Sequence, residues 1–407
     1  MKPAVAFFTD SFHEANGVAL TSRQFDQFAR ERGYPFFSVH AGPATKHVKD
    51  GPYESFELAN SRATLRLEHD LFFDLRFLRH RHRVIAALRE FGPDLIHVTG
   101  PGHMGLLGAI AGKALGVPLV ASWHTNVHEF GARRLAKTLH GWPTAVQRRL
   151  PPWAERKSLN TILWFYRLAR MTFAPNPELV EMLETRTGRP SHLMLRGVDT
   201  TLFSPERRAR DDDEFIIGHV GRLSAEKNVR LLAEMERKLV EDGIANYRFL
   251  VVGEGSERAW LRENLRRADL PGLLRGVLLA EAYAEMDVFV FPSETDTYGN
   301  VTTEALASGV PAIVSAKGGP RFLVREGVDG FVAADVAGFA IAVTTLFRDR
   351  ARLAAMKVNA REAAKRKSWS AVFESIYEEY ERGFAAGVLP SAGVAEPAAT
   401  ATRSLLA

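Results

Sequence analysis

The run from Asp287 to Pro320, DVFVFPSETDTYGNVTTEALASGVPAIVSAKGGP, leaves little freedom to the fold around it. Val288 to Phe291 is apolar, rich in β-formers and without polar alternation, the pattern of a strand buried on both faces. Pro292 and Ser293 end it, and a polar loop from Glu294 to Asp296 leads to Gly299. A helical pattern covers about Asn300 to Ser308, Gly309 stops it, and Val310 to Ser315 reads as a second buried strand. Strand, loop, helix and buried strand in this order belong in a parallel sheet.

Two carboxylates frame the loop–helix junction. Asp296 precedes the helix and Glu304 lies two turns into it. Between them, Tyr298, Gly299, Asn300 and Val301 supply backbone N–H groups at a helix N-terminus, where a phosphate binds readily. Gly299 lets a ligand approach the backbone, and a carboxylate such as Glu304 can accept two hydrogen bonds from a ribose diol. Taken singly, Asp296 would be a helix cap and Glu304 a solvated residue; the whole unit, with its Gly318-Gly319-Pro320 exit, points to a site.

This stretch resembles the acidic-x7-Glu signature of family 4 glycosyltransferases, retaining enzymes of the GT-B fold. The resemblance implies that Asp296 contacts the donor sugar and Glu304 holds the nucleotide ribose. The family's usual first acidic residue is Glu, one methylene longer than Asp296, and Phe322 stands where the family usually has an acid. Thr295-Asp296-Thr297-Tyr298-Gly299-Asn300 is similar to the branch that glycosylates lipids, with sulfoquinovosyl-, galactosyl- and mannosyl-transferases.

The rest of the chain is read against that expectation. At 407 residues two domains are expected. There are no cysteines, which excludes disulfides and thiolate chemistry and fits a reducing compartment. MKPAVAFF runs straight into a strand pattern without a signal-peptide pattern, and no apolar run approaches the ~20 residues of a bilayer span. The expected location is therefore cytoplasmic, peripheral at the inner face of a membrane if an acidic surface is the partner. The net charge of +5 favours an acidic partner, with an anionic membrane surface as candidate; no nucleic-acid recognition module is present.

The chain opens with a strand at Val5 to Thr9, a polar loop, and an amphipathic helix from about Val18 to Arg32. Its loop carries Asn16, Gly17 and Val18, similar to the family's Asn-Gly-Val that approaches the donor diphosphate. Phe36 to His40 reads as a strand, 43–60 as irregular, 74–91 as a helix, 95–98 as a strand, 103–115 as a helix and 117–122 as a strand. His124 follows at the strand end, where a parallel sheet displays its active groups, and the resemblance brings it to the donor sugar. His128 is four residues on, but the strand end between them spoils a helical metal pair, and no metal site is expected. Residues 132–170 hold nine Arg or Lys and one acid, Glu155, with Trp142, Trp153 and Trp164, a composition suited to a membrane interface or a solvated basic helix pair.

Leu195-Arg196-Gly197-Val198-Asp199, Phe203 and Pro205 resemble the family's crossing between domains, and Arg196 joins the donor-binding candidates. The expected division is 1–200 for an acceptor domain, 201–368 for a nucleotide-sugar domain, 369–384 for a helix returning to the first, and 385–407 for a disordered tail. After a strand at 215–220 come Gly221, Arg222 and Lys227, two cations five apart across a turn and helix start, able to face one pyrophosphate. In the family these two stabilise the leaving diphosphate. Gly253-Glu254-Gly255 after the strand at 247–252 resembles the family's nucleotide-side glycines. It is not a dinucleotide fingerprint, so no cofactor is expected.

The expected fold is α/β, GT-B, with two Rossmann-like domains facing each other across a cleft. The expected activity is retaining transfer of a hexosyl group from a UDP- or GDP-hexose to a lipid or glycan acceptor. A soluble sugar acceptor and, further off, a GT-B sugar-nucleotide epimerase remain the alternatives.

Overall fold

The computed structural model describes residues 2–14, 16–68, 71–124, 126 and 144–390, without the side chains of 65–68, 71–72 and 144–149. Its N-terminal elements are β1 (Val5–Thr9), α1 (Gly17–Arg32), β2 (Phe36–Gly42), β3 (Lys46–Asp50), β4 (Tyr53–Ala59), β5 (Thr64–Glu68), β6 (Leu71–Asp74), α2 (Arg81–Phe91), β7 (Leu95–Val98), α3 (His103–Leu115), β8 (Leu119–Ser122), α4 (Thr144–Tyr166), β9 (Met171–Ala174), α5 (Pro177–Thr187) and β10 (Ser191–Leu193). The C-terminal elements are β11 (Phe215–Val220), α6 (Leu231–Glu241), β12 (Tyr247–Val252), α7 (Arg258–Asn264), β13 (Ala268–Gly272), α8 (Gly276–Ala284), β14 (Val288–Phe291), α9 (Asn300–Ala307), β15 (Ala312–Ser315), β16 (Gly330–Ala333), α10 (Val336–Arg348), α11 (Arg350–Lys365) and α12 (Trp369–Ala385).

They form two Rossmann-like sheets. The first runs β10-β9-β8-β7-β1-β2-β4-β3 and the second β13-β12-β11-β14-β15-β16. Ladder pairs are parallel in both sheets except β3 against β4. Central strands such as β1, β7, β11 and β14 are buried along their whole length, as helices on both faces require. The unit from β14 to β15 is the strand–helix–strand crossover expected from its sequence.

Residues 43–60 are not irregular. β4 carries a period-2 burial pattern with Phe56 and Leu58 inward, and β3 is its antiparallel edge partner, exposed and carrying Lys46, Lys49 and Asp50. The helix expected over 74–91 begins only at Arg81. Asp74 closes the β5–β6 hairpin, and its carboxylate accepts from the backbone N–H groups of Ser61 and Arg76, each at 2.9 Å. Such local acceptance favours a turn over helix.

α12 packs on α1 in the first half, with Phe373 stacked on Phe25 at 4.6 Å and Tyr377 and Tyr380 fully buried. Leu389 is buried in the same cluster, so packed chain reaches past the point where a tail was expected to begin. Residues 391–407 lie outside the described residues, as do 127–143 with Trp142 and most of the basic segment's first half.

Candidate functional site

The loop before α9 is built around its glycines. Gly299, at φ 93°, sits at the helix N-cap, and a Cβ there would lie 2.9 Å from Pro320. Gly319 passes so close beneath the loop that a Cβ would meet the Thr297 carbonyl oxygen at 1.9 Å, while its N–H donates to the Asp296 carbonyl at 2.7 Å. The Gly-Gly-Pro segment is therefore the floor that holds Asp296 to Gly299 in shape. Gly17, at the N-terminus of α1, comes close to Asn300 at the N-terminus of α9; a Cβ on Gly17 would lie 3.2 Å from Asn300 Nδ2. Two helix N-termini, each carrying partial positive charge, meet where the halves join. Asn16 caps α1, its Oδ1 accepting from Ala19 N at 2.9 Å, and Val18 is partly buried behind it.

Lys227 and Asp296 are brought together. Lys227 Nζ donates to both carboxylate oxygens, at 2.7 and 2.8 Å, and Ser293 Oγ adds a bond at 2.5 Å. Burial would raise the Asp296 carboxyl, but the ammonium and the hydroxyl outweigh it and hold the group below its ordinary value. Lys227 is aimed there by a 3-10 turn, Ala225–Lys227, that ends at Asn228 in the left-handed region (φ 54°); α6 begins only at Leu231, later than expected. Arg222 is half exposed, 3.8 Å from Glu226, and its charge also lowers Asp296.

Glu304, on α9 eight positions after Asp296, takes a 2.8 Å hydrogen bond from the buried Tyr283 hydroxyl. Its burial, only partly offset by that donor, pushes it up to about 7. Such a carboxylate is short of donors, which a vicinal diol would supply.

Gly253 is packed against the neighbouring loop. A Cβ on it would strike the Gly221 carbonyl oxygen at 1.9 Å, and one on Gly255 the Leu223 carbonyl oxygen at 2.1 Å. Their missing side chains let the loops after β11 and β12 lie backbone to backbone, with Leu223 N donating to Glu254 O at 2.9 Å. Gly253 and Gly221 thus shape the cation-bearing loop by packing.

His124 and Arg196 are buried partners. Arg196 Nη1 donates to the Gly17 carbonyl at 2.7 Å and to Thr21 Oγ1 at 2.6 Å, and Nη2 stands 3.2 Å from His124 Nδ1. A guanidinium only donates, so Nδ1 carries the lone pair and Nε2 the proton, given to Ser122 Oγ at 2.7 Å. Burial, then Arg196, hold His124 well below 6.5, so the ring is neutral. Both ring nitrogens thereby have partners inside the first half, Arg196 and Ser122. What His124 offers the second half is its carbonyl, which accepts from Thr297 Oγ1 at 2.9 Å. Asn176 Nδ2 donates to the Thr297 carbonyl at 2.7 Å, and Tyr298 Oη to the Arg196 carbonyl at 2.7 Å. Ser293, Tyr283, Thr297 and Asn176 were missed from sequence. An Asn-Pro-Glu start announces Asn176 as a helix cap, but no local signal tells of its contact across the halves.

Comparison with known proteins agrees with this architecture. Residues 50–202 match the family described as Glycosyltransferase Family 4, and residues 214–349 that described as Glycosyl transferases group 1. The chain is 35% identical over 312 residues to the GDP-mannose-dependent alpha-mannosyltransferase of Mycolicibacterium smegmatis, covering 74% of this chain and 76% of that protein. It is 30% identical over 317 residues to the sulfoquinovosyl transferase of Arabidopsis thaliana, covering 73% of this chain and 58% of that one. The solved sucrose-phosphate synthase of Thermosynechococcus elongatus superposes with a TM-score of 0.68 over 95% of this chain and 100% of that chain, at 21% identity, a likeness of fold. With its GT-B architecture and two matched halves, the chain belongs to glycosyltransferase family 4.

Proposed function

We propose that this glycosyltransferase moves a mannosyl or related hexosyl group, with retention, from a GDP-linked donor to a lipid-borne hydroxyl at a membrane surface. One observation carries the donor site: Lys227 is bonded to both oxygens of Asp296 beside the N-terminus of α9, where Asn300 meets Gly17 of α1. A diphosphate there would face two helix N-termini, Lys227 and Arg222, all placed to offset the charge that grows as the donor's C1–O bond breaks. Asp296 would orient the sugar, Glu304 the ribose, and the 298–301 amides the phosphate oxygens. Arg196 and His124 would act as positioning residues, Arg196 holding the Gly17 carbonyl and the His124 carbonyl holding the Thr297 hydroxyl. The acceptor oxygen bonds C1 on the face the diphosphate leaves, and its proton passes to a diphosphate oxygen, so no covalent nucleophile is needed.

GDP-mannose is favoured because the relative at 35% identity is named for it. The lipid acceptor is favoured by α4. Trp153 and Trp164, eleven residues apart and so about 20° apart around a helix, are 48% and 47% exposed. Among the described residues no helix is long and apolar enough to cross a membrane, so docking would be peripheral. The domain division expected from sequence is part of this proposal, with the acceptor on the first half and the donor mainly on the second.

Hydrolysis and transfer over a panel of GDP-, UDP- and ADP-hexoses test the donor. GDP-mannose should be turned over fastest; preference for a UDP-sugar would refute the donor assignment while leaving the family in place.

A further inference from the structure

A cluster of potential metal ligands sits apart from Lys227 and Asp296, at the carboxyl edge of the first sheet. His40 on β2 and Glu57 on β4 are direct partners in the parallel ladder, so their side chains leave the same face of the sheet. His13 comes from the β1–α1 loop, four residues past Thr9, which partners His40 on its other side. One ligand atom from each of the three lies within 4.8 Å of the other two. Tetrahedral zinc with bonds of about 2.0–2.2 Å spaces neighbouring ligand atoms about 3.4 Å apart; His13 Nε2 and Glu57 Oε2 are 3.8 Å apart.

The surroundings hold the ligands in place. Phe12 stacks on the His40 ring, centroids 3.9 Å apart and planes 7° apart, and the His13 ring meets His40 edge to face at 5.4 Å. The Glu57 carboxylate lies across Gly42, where a Cβ would sit 2.2 Å from Oε1. Oε1 accepts from Ala44 N at 3.2 Å, an outer bond that orients the carboxylate while Oε2 faces His13. His40 is buried, so its ring is held in a fixed place. His13 is exposed, leaving the fourth position to water or a ligand.

We infer that His13, His40 and Glu57 form a zinc site that ties the β1–α1 loop to the sheet. The loop's far end is Asn16-Gly17, where α1 begins against Asn300. A zinc ion would order this entry without touching the diphosphate cations. Two imidazoles and one carboxylate are nitrogen and oxygen donors that suit zinc over magnesium or calcium.

The test uses tag-free full-length protein stripped of metal, titrated with Zn²⁺ against a chromophoric chelator and with Co²⁺ read by its visible absorption. One equivalent should bind, Co²⁺ should give the intense bands of a four-coordinate site, and Zn²⁺ should raise the melting temperature. His13→Ala and Glu57→Gln should each weaken binding by at least about tenfold, since outer partners alone are worth about 10–100-fold. Both variants should melt in the metal-free state near the wild type, as His13 is exposed and Gln matches Glu in shape. His192→Ala, a control at the His192–Glu379 pair 3.1 Å apart elsewhere in the first half, should leave affinity unchanged. Absence of a stoichiometric site in the wild type, or equal affinity in His13→Ala and Glu57→Gln, overturns the inference.

Discussion

Glu304 makes a pH-dependent prediction whose size follows from its surroundings. Its carboxyl sits at about 7 in the unliganded protein because burial costs the anion more than the Tyr283 hydroxyl returns. A ribose diol needs the anion as acceptor. With that value the anionic fraction is about one-eleventh at pH 6 and about ten-elevenths at pH 8, a tenfold change worth about 1.4 kcal/mol of binding. The nucleotide's own phosphate titrates near this range, so the comparison is with Glu304→Gln, which shares that titration and lacks the carboxyl. In calorimetry with the nucleoside diphosphate, the ratio of wild-type to Glu304→Gln affinity should rise about tenfold from pH 6 to pH 8. Parallel pH profiles would refute the ribose role. For stability the sign is opposite. The folded protein binds the proton more tightly than the unfolded chain, whose carboxyl titrates near 4.5, so Glu304's contribution is lost as pH rises from about 4.5 to about 7.

Lys227→Ala and Arg222→Ala should each lower kcat about 10²–10³-fold with little change in KM, because charge on the diphosphate peaks in the transition state; a pure KM effect in steady-state assays would reassign them to ground-state binding. Gly253→Ala must push Gly221 O aside from 1.9 Å, and thermal melts should show it destabilised by about 1–3 kcal/mol, whereas an unchanged melt would contradict the backbone-packing role. Thr297→Val removes the bond to the His124 carbonyl, worth about 0.5–1.5 kcal/mol, and should raise donor KM severalfold at nearly constant melting temperature; an unchanged KM would show that this contact does not aid donor binding. Sedimentation with liposomes should rise with anionic lipid and fall with salt, and Arg133, Arg134, Arg148 and Arg149 reversed to Glu should abolish it with nucleotide binding intact; a wild type that ignores anionic liposomes at low salt would favour a soluble acceptor.

The second half was legible because its signals are local. A buried strand, a glycine turn and a helix start each occupy a few consecutive residues, so Asp287 to Pro320 could be read as a unit. Contacts between sheet edges were not legible. Asp296 and Lys227 lie 69 positions apart and meet only because β11 and β14 are neighbours. His40 and Glu57 needed the β2–β4 register, which was hidden once 43–60 read as irregular. Gly253 shows another limit: the residue type was informative, but its close contact with the Gly221 carbonyl depends on β11 and β12 being neighbours.

The return of α12 to the first half has a consequence for the timing of folding. Phe25 and Phe28 on α1 find Phe373 and Tyr377 as neighbours only after the ribosome has made the whole second half. At about 5–20 residues per second, the ~185 residues between the first crossing and the end of α12 take roughly 10–40 s. Throughout that interval the nascent first half shows an uncovered aromatic face, a natural client surface for chaperones. A slowed ribosome, or a stop placed ahead of Trp369, lengthens or fixes that exposure, so aggregation during synthesis should track the delay in producing the last helix.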